Sequence, residues 1–314
     1  MEGGGGKKVQ VELIGGLGNQ LFGYYAALWL SKVRSAQLEL NVTKVATHHT
    51  AKKFDIRSLN IQGKIVEPHL SRGELGRQIA RIRDKSLIGS KAFNDFYIAT
   101  TGTVHDKGDG FAEMRNRLAH LPIKGDVRLK GFFAQFGFYK ELVNTDSKII
   151  ELEVLNPSPE FKNLKREARM NRPIMLHVRR GDYGYGLNPV GVLSSEYYSD
   201  AIKMIEAKID TREIWIFTNS LRESEKMFEE PKFRNLGFSY RIIDELQDHD
   251  PAESLLLQKE AGFNVIANST FSGWAAILNR DSAGTIAPSH YYKGNTNPAD
   301  YPYSDWVTCS SKWA

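Results

Sequence analysis

Short apolar runs alternate with helical stretches through the second half of the chain, and this rhythm restricts the fold more than any other feature. Residues 174–178, 213–218, 240–243 and 263–267 read as strands, and 195–209, a stretch ending near Glu230, 251–262 and 271–280 read as helices. A strand that is apolar on both faces needs cover on both, and crossover helices supply it when the strands pair in parallel. The N-terminal stretch repeats the unit: strand 9–14, a turn Gly15-Gly16-Leu17-Gly18, helix 19–34 and strand 36–40. Residues from about 44 to 125 are less regular, 127–130 is a further strand and 136–151 a helix. Asn156-Pro157-Ser158-Pro159 marks the break between the halves. The 314 residues suffice for two domains of ordinary size. The expectation is an α/β protein of two Rossmann-like domains, 9–155 and 160–314, facing a central cleft, with the final segment free to pack back on the N-terminal domain.

Composition excludes several classes. No apolar run reaches the ~20 residues that span a bilayer. The glycine-rich head, Met1 to Lys8, lacks the apolar core of a signal peptide and reads as disordered. The lone Cys309 rules out an internal disulfide framework and an all-cysteine metal site. Together these points favour a cytoplasmic setting, which makes the sequons at Asn41 and Asn268 incidental. Part of the +5 net charge comes from Arg72, Arg77, Arg81, Arg83 and Lys85, interleaved with Ile79, Ile82 and Leu87. That is either the solvated face of an amphipathic helix or a surface for an anionic partner. No nucleic-acid-binding motif is present.

The chemistry concentrates in a few stretches. His177-Val178-Arg179-Arg180-Gly181-Asp182 stands where a buried strand ends. In an open α/β sheet that is where ligands bind, and the arginine fork suits phosphate oxygens. The alternative is a surface charge cluster with Asp182 as a salt-bridge partner. Asn268-Ser269-Thr270-Phe271-Ser272-Gly273-Trp274 follows another strand and opens a helix. Its hydroxyls and N–H groups form an anion site and a helix cap at once. The first glycine turn resembles a dinucleotide fingerprint, with Glu39 as the ribose acid, but Leu21 occupies the third glycine position. Asn19 in that turn is either a helix cap or an amide reaching a sugar or acceptor hydroxyl. Asp248-His249-Asp250 resembles an Asp-x-Asp metal motif, but Asp250, Pro251 and Glu253 make a capping box. His48, His49 and His105 lack partners at metal-ligand spacing.

Together these stretches resemble the bacterial-type inverting α1,2-fucosyltransferases. Gly15 to Gln20 matches the family's opening motif. His177 to Asp182 matches its His-x-Arg-Arg-x-Asp motif, which α1,6- and protein O-fucosyltransferases share in looser form. The stretches Gly191 to Tyr198, Val265 to Ala276, Ile286-Ala287-Pro288 and Tyr301-Pro302 with Trp306 match later segments in order. The sequence departs from the pattern at Ser254, where an aspartate is frequent, at Gly273 in place of a second tryptophan, and at Asn219 in place of an aspartate. In Gly131-Phe132-Phe133-Ala134-Gln135 the glutamine falls one place late.

The resemblance implies a GT-B-type glycosyltransferase that transfers L-fucose from GDP-β-L-fucose to the 2-hydroxyl of a terminal β-galactoside with inversion. It implies no metal and no cofactor, GDP-fucose being a co-substrate. Arg179 would contact the β-phosphate and the oxygen of the breaking bond, with Arg180 and Asp182 orienting it. His177 would lie near guanine, as would Glu253. Asn268, Ser269, Thr270 and Phe271 would hold phosphate and nucleoside, Gly16 and Gly18 would line the donor, and Asn19 would approach the reacting centre from the other domain. The rival readings are α1,6- or protein O-fucosyl transfer, a catalytically silent glycan-binding protein on the same fold and, more remotely, a nicotinamide dehydrogenase.

Overall fold

The computed structural model describes residues 7–43, 45, 56–66, 97–145, 151–181, 189–205, 211–303 and 305–314. The chain divides into two compact units, one of residues 1–53 and 61–151, the other of 54–60 and 152–314.

The first unit is built on five strands: β1 (Lys8–Glu12), β2 (Gln37–Asn41), β3 (Lys64–Val66), β4 (Thr103–His105) and β5 (Val127–Lys130). They form one parallel sheet in the order β3-β2-β1-β5-β4. In register, Val11 lies between Leu40 and Leu129, and all three are buried. The helix Leu17–Val33 is buried on nearly every side, as a helix apolar all round must be. Gly23 lets it approach the sheet, since a Cβ there would touch Val11 and Leu13 at 3.4 Å. On its other side Tyr25 and Trp29 pack on Tyr139 and Phe138 of the helix Gly137–Thr145, with ring centroids 5.0 and 5.2 Å apart.

The second unit has six strands: β6 (Ile174–Val178), β7 (Glu213–Thr218), β8 (Ser239–Ile242), β9 (Phe263–Val265), β10 (Thr285–Pro288) and β11 (Val307–Cys309). Their order is β11-β10-β9-β6-β7-β8, all parallel. Counted from β6, this is the doubly wound 3-2-1-4-5-6 arrangement, whose order reverses between its first and fourth strands. The reversal here falls between β6 and β9, and in the first unit between β1 and β5.

Residues 54–60, within the span expected for the N-terminal domain, are built into the second unit. Leu59 bridges Val154, Ser58 Oγ donates to Asp250 Oδ1 at 3.1 Å, and the Glu153 N–H donates to Asn60 Oδ1 at 2.8 Å. The final segment adds β11 to the second sheet, paired to β10. The irregular stretch after residue 44 contributes β3, β4 and the helix Phe111–Ala119. Helix and strand ends shift by a few residues from the sequence reading: 136–151 contracts to Gly137–Thr145 and 251–262 to Pro251–Gln258. No helix among the described residues is long and apolar enough to cross a membrane. The basic patch from Arg72 to Lys85 and the pair His48-His49 lie outside the described residues.

Candidate active site

β6 is buried along its whole length, and His177 within it is only 5% exposed. Burial, reinforced by the nearby Arg179 charge, pushes the His177 pKa down to about 3, so the imidazole is neutral at physiological pH. Its Nδ1 is buried without a hydrogen-bond partner, and its ring lies 5.9 Å from that of Phe271. Such an orphaned atom costs roughly 1–3 kcal/mol unless a ligand satisfies it.

Arg179 and Arg180 follow directly and are half-buried. The backbone of Arg180 is held by Asn219, which stands just past β7. Asn219 Oδ1 accepts the Arg180 N–H at 2.8 Å, and Asn219 Nδ2 donates to the Arg180 carbonyl at 3.3 Å. Gly181 has φ +54°, and a Cβ on it would sit 2.9 Å from Asn219 Nδ2. Glycine is therefore required there both by conformation and by space. Arg180 Nη2 rests 3.2 Å from Met227 Sδ, and its Nε is buried with no partner. Asp182 lies outside the described residues.

β9 neighbours β6, with Leu176 opposite Val265, so the chain beyond each leaves the sheet side by side. Beyond β9, Ser269 caps the helix Thr270–Leu278 by accepting the Phe271 N–H at 3.3 Å. Thr270 and Phe271 are half-exposed, while Trp274 is fully buried. Asn268 is 1% exposed, and its Nδ2 reaches the carbonyls of Val190 at 2.8 Å, Gly191 at 3.2 Å and Tyr291 at 3.1 Å. That amide fastens two loops around the helix start rather than facing outward.

Glu253 is likewise committed. It is 2% exposed, and its two carboxylate oxygens accept from the Ser158 N–H at 2.6 Å and the Ser158 hydroxyl at 2.8 Å. Asp250 caps the helix Pro251–Gln258 by accepting from the Ala252 N–H at 2.8 Å, as the capping reading expects. The reciprocal bond of a capping box is replaced: Glu253 reaches Ser158, itself the cap of the helix Pro159–Asn171. No cluster of three or more metal-ligating side chains occurs among the described residues.

In the first unit the glycine turn follows β1. The helix is capped by Gly16, so Asn19, in its first turn, is not the cap. Asn19 is half-exposed, and its amide folds over Gly15 so closely that a Cβ there would lie 2.7 Å from Nδ2. Gly15 has φ +73°, and its carbonyl accepts from the buried Gln20 Nε2 at 2.9 Å. Gly16 is exposed with open space around a Cβ, whereas Gly18 is buried in the first helical turn. Glu39 is taken up by Lys8 at 2.8 Å and Gln10 at 3.1 Å, and Leu21 is fully buried, so nothing remains of a ribose-binding acid.

Two arginines and a serine-capped helix start thus stand on either side of the strand-order reversal in the second unit. Guanidinium forks and helix N–H groups converging at such a point suit a diphosphate. Sequence reasoning noted Asn219 only as a departure. Its role depends on β6 and β7 being paired, which its own neighbours in the chain do not reveal.

The model of glycosyl transferase family 11 matches residues 114–309. An α1,2-colitosyltransferase of Escherichia coli is 24% identical over 315 residues, covering 97% of each chain. The O-antigen biosynthesis glycosyltransferase WbnK of Escherichia coli is 24% identical, covering 94% of this chain and 98% of its own. Among solved structures, the fucosyltransferase NodZ from Bradyrhizobium is 10% identical with a TM-score of 0.47, covering 87% of this chain and 93% of its own. POFUT1 in complex with GDP-fucose is 12% identical with a TM-score of 0.45, covering 100% and 99%.

Proposed function

The chain belongs to glycosyl transferase family 11, and from that premise we propose that it transfers L-fucose from GDP-β-L-fucose to the 2-hydroxyl of a terminal β-galactoside with inversion. The observation that carries the donor half is the pairing of Arg179 and Arg180 with the Ser269-capped helix across the β6–β9 reversal. A diphosphate leaving group gains negative charge as the glycosidic bond breaks, and fixed donors aimed at it lower the barrier. Arg179 meets the β-phosphate and the departing oxygen. Arg180, with its backbone locked by Asn219, orients that contact together with Asp182. Thr270 and Phe271 border the nucleoside beside the neutral His177, whose unpartnered Nδ1 is offered to it. Bond breaking runs ahead of attack, through an oxocarbenium-like state, so little base assistance is needed before the sugar cation forms.

Gly16 and Asn19, at the reversal of the first sheet, serve the transferred sugar and the acceptor. No metal enters the scheme, because two guanidinium groups and a helix N-terminus supply the positive charge. Turnover is therefore expected to persist in EDTA.

The name of one relative favours a second reading of the donor. Colitose is L-fucose without its 3-hydroxyl, so an α1,2-colitosyltransferase at 24% identity makes GDP-colitose the competing co-substrate. Calorimetry with GDP, followed by GDP release from GDP-fucose with lactose present, tests the proposal. Absence of GDP binding would remove both donor readings.

A further inference from the structure

Phe132 is an aromatic side chain that the first unit leaves exposed, at 45%. It stands two residues past β5, and β5 and β1 are the strands between which the order of the first sheet reverses. Glu12 and Lys130 pair at the ends of those strands, so the glycine turn and the Phe132 loop leave the sheet together. That is the place where an open parallel sheet receives a ligand.

The loop is constrained to present this ring. Phe133, next in sequence, is completely buried and takes φ +50°, which non-glycine residues rarely adopt. Asp106 holds it there, its Oδ2 accepting the Phe133 N–H at 2.8 Å. Gly131, at φ +135°, lies so close to Asp106 that a Cβ would fall 2.2 Å from the Asp106 Cβ. One phenyl is thereby forced inward and its neighbour outward. Farther along, the Phe136 ring packs 4.7 Å from Phe22, which lies three residues past Asn19 and on the same face of its helix. The half-exposed Asn19 and the exposed Phe132 thus both follow strands that end at the same edge of this unit.

The chemistry there differs from that of the second unit. The arginines lie at the β6–β9 reversal, while the β1–β5 reversal offers a phenyl face, a neutral amide and the open space above Gly16, with the charges of Glu12 and Lys130 at the strand ends opposite in sign. A neutral ligand with one apolar face and a rim of hydroxyls fits this set, which describes a pyranose. We infer that Phe132 is the stacking platform for the acceptor galactoside, with Asn19 beside it for a ring hydroxyl. This rests on the acceptor being a sugar, as proposed above.

The test is saturation-transfer NMR on the full chain with GDP present, using lactose, N-acetyllactosamine and methyl β-galactoside as probes. Aromatic protons of the unaltered protein should saturate at least one of them. Phe132→Ala should lose most of that transfer, and its acceptor KM should rise roughly three- to tenfold. Phe132→Trp should retain both. GDP calorimetry on the same variants separates the readings, since the GDP contacts proposed above lie in the other unit. A fall in GDP affinity with sugar contact intact would make Phe132 a nucleotide contact and overturn the inference. Equal saturation in Phe132→Ala, or none in the unaltered protein, would overturn it as well. Failure of the donor reading would show instead as absent GDP binding in the unaltered chain.

Discussion

Asn219 grips the backbone of Arg180 at both polar groups, accepting its N–H at 2.8 Å and donating to its carbonyl at 3.3 Å. The amide continues the β6–β7 ladder one step past the strand ends, and the arginine pair inherits its rigidity from the sheet. Asn219→Ala should weaken GDP binding and lower kcat while leaving the fold intact. Gly181→Ala should be worse. It adds a Cβ 2.9 Å from Asn219 Nδ2 at a φ of +54°, and an alanine forced to positive φ costs upwards of about 1 kcal/mol. The double variant should lose less than the sum of the two, because the clash disappears with Asn219. Strict additivity in kcat and melting temperature would dissolve the proposed grip.

Arg179→Ala should lower kcat on the order of 10²–10³-fold, the usual loss when a donor to developing charge is removed. Steady-state GDP release measures it, with circular dichroism confirming the fold. Activity within a few-fold of the unaltered protein would end its assignment to the leaving group.

Glu253 is expected to report on stability. Its carboxylate accepts two bonds from Ser158 and is almost fully buried. Glu253→Gln removes the charge from both bonds and puts an NH2 donor where one oxygen accepted from Ser158, so it should cost about 1–3 kcal/mol in urea unfolding, with GDP affinity changed only a few-fold. A collapse of GDP affinity at unchanged stability would return Glu253 to a guanine contact.

His177 sets a pH signature. An unfolded histidine binds its proton near pH 6.5, while the folded one does so only near 3. Between those values the unfolded chain holds one more proton. Stability from this residue is complete above about pH 6.5 and is lost as pH falls, by about 1.4 kcal/mol per unit. In His177→Gln the slope of unfolding free energy between pH 4 and 6 should be shallower by one proton. An unchanged slope would mean that the imidazole is protonated in the native state.

Much of this arrangement can be read from the chain. The strands β6 and β7 announce themselves as apolar runs, and Asp250 and Ser269 are caps by residue type and by the helices that follow. What escaped depends on distant partners. β3 and β4 have three residues each, too few for a periodic signal. The Glu253–Ser158 bonds join residues 95 apart, so local spacing points Glu253 toward Asp250 instead. Residues 56–60 enter the second unit through scattered contacts such as Leu59 with Val154 and Asn60 with Glu153, which leave no composition signal. Asn268 has the residue type of a ligand contact, yet its amide is consumed by three carbonyls that only the folded loops supply.

Linkage analysis of the product tests the central claim most directly. The purified chain is incubated with GDP-fucose and lactose, N-acetyllactosamine and methyl β-galactoside in turn, and the product is examined by two-dimensional NMR. Fucosyl transfer as proposed yields an α-linked L-fucose on O2 of the terminal galactose, with equimolar GDP. Transfer to another hydroxyl, a β-linked product, or GDP-fucose left intact while GDP-colitose is consumed would contradict it.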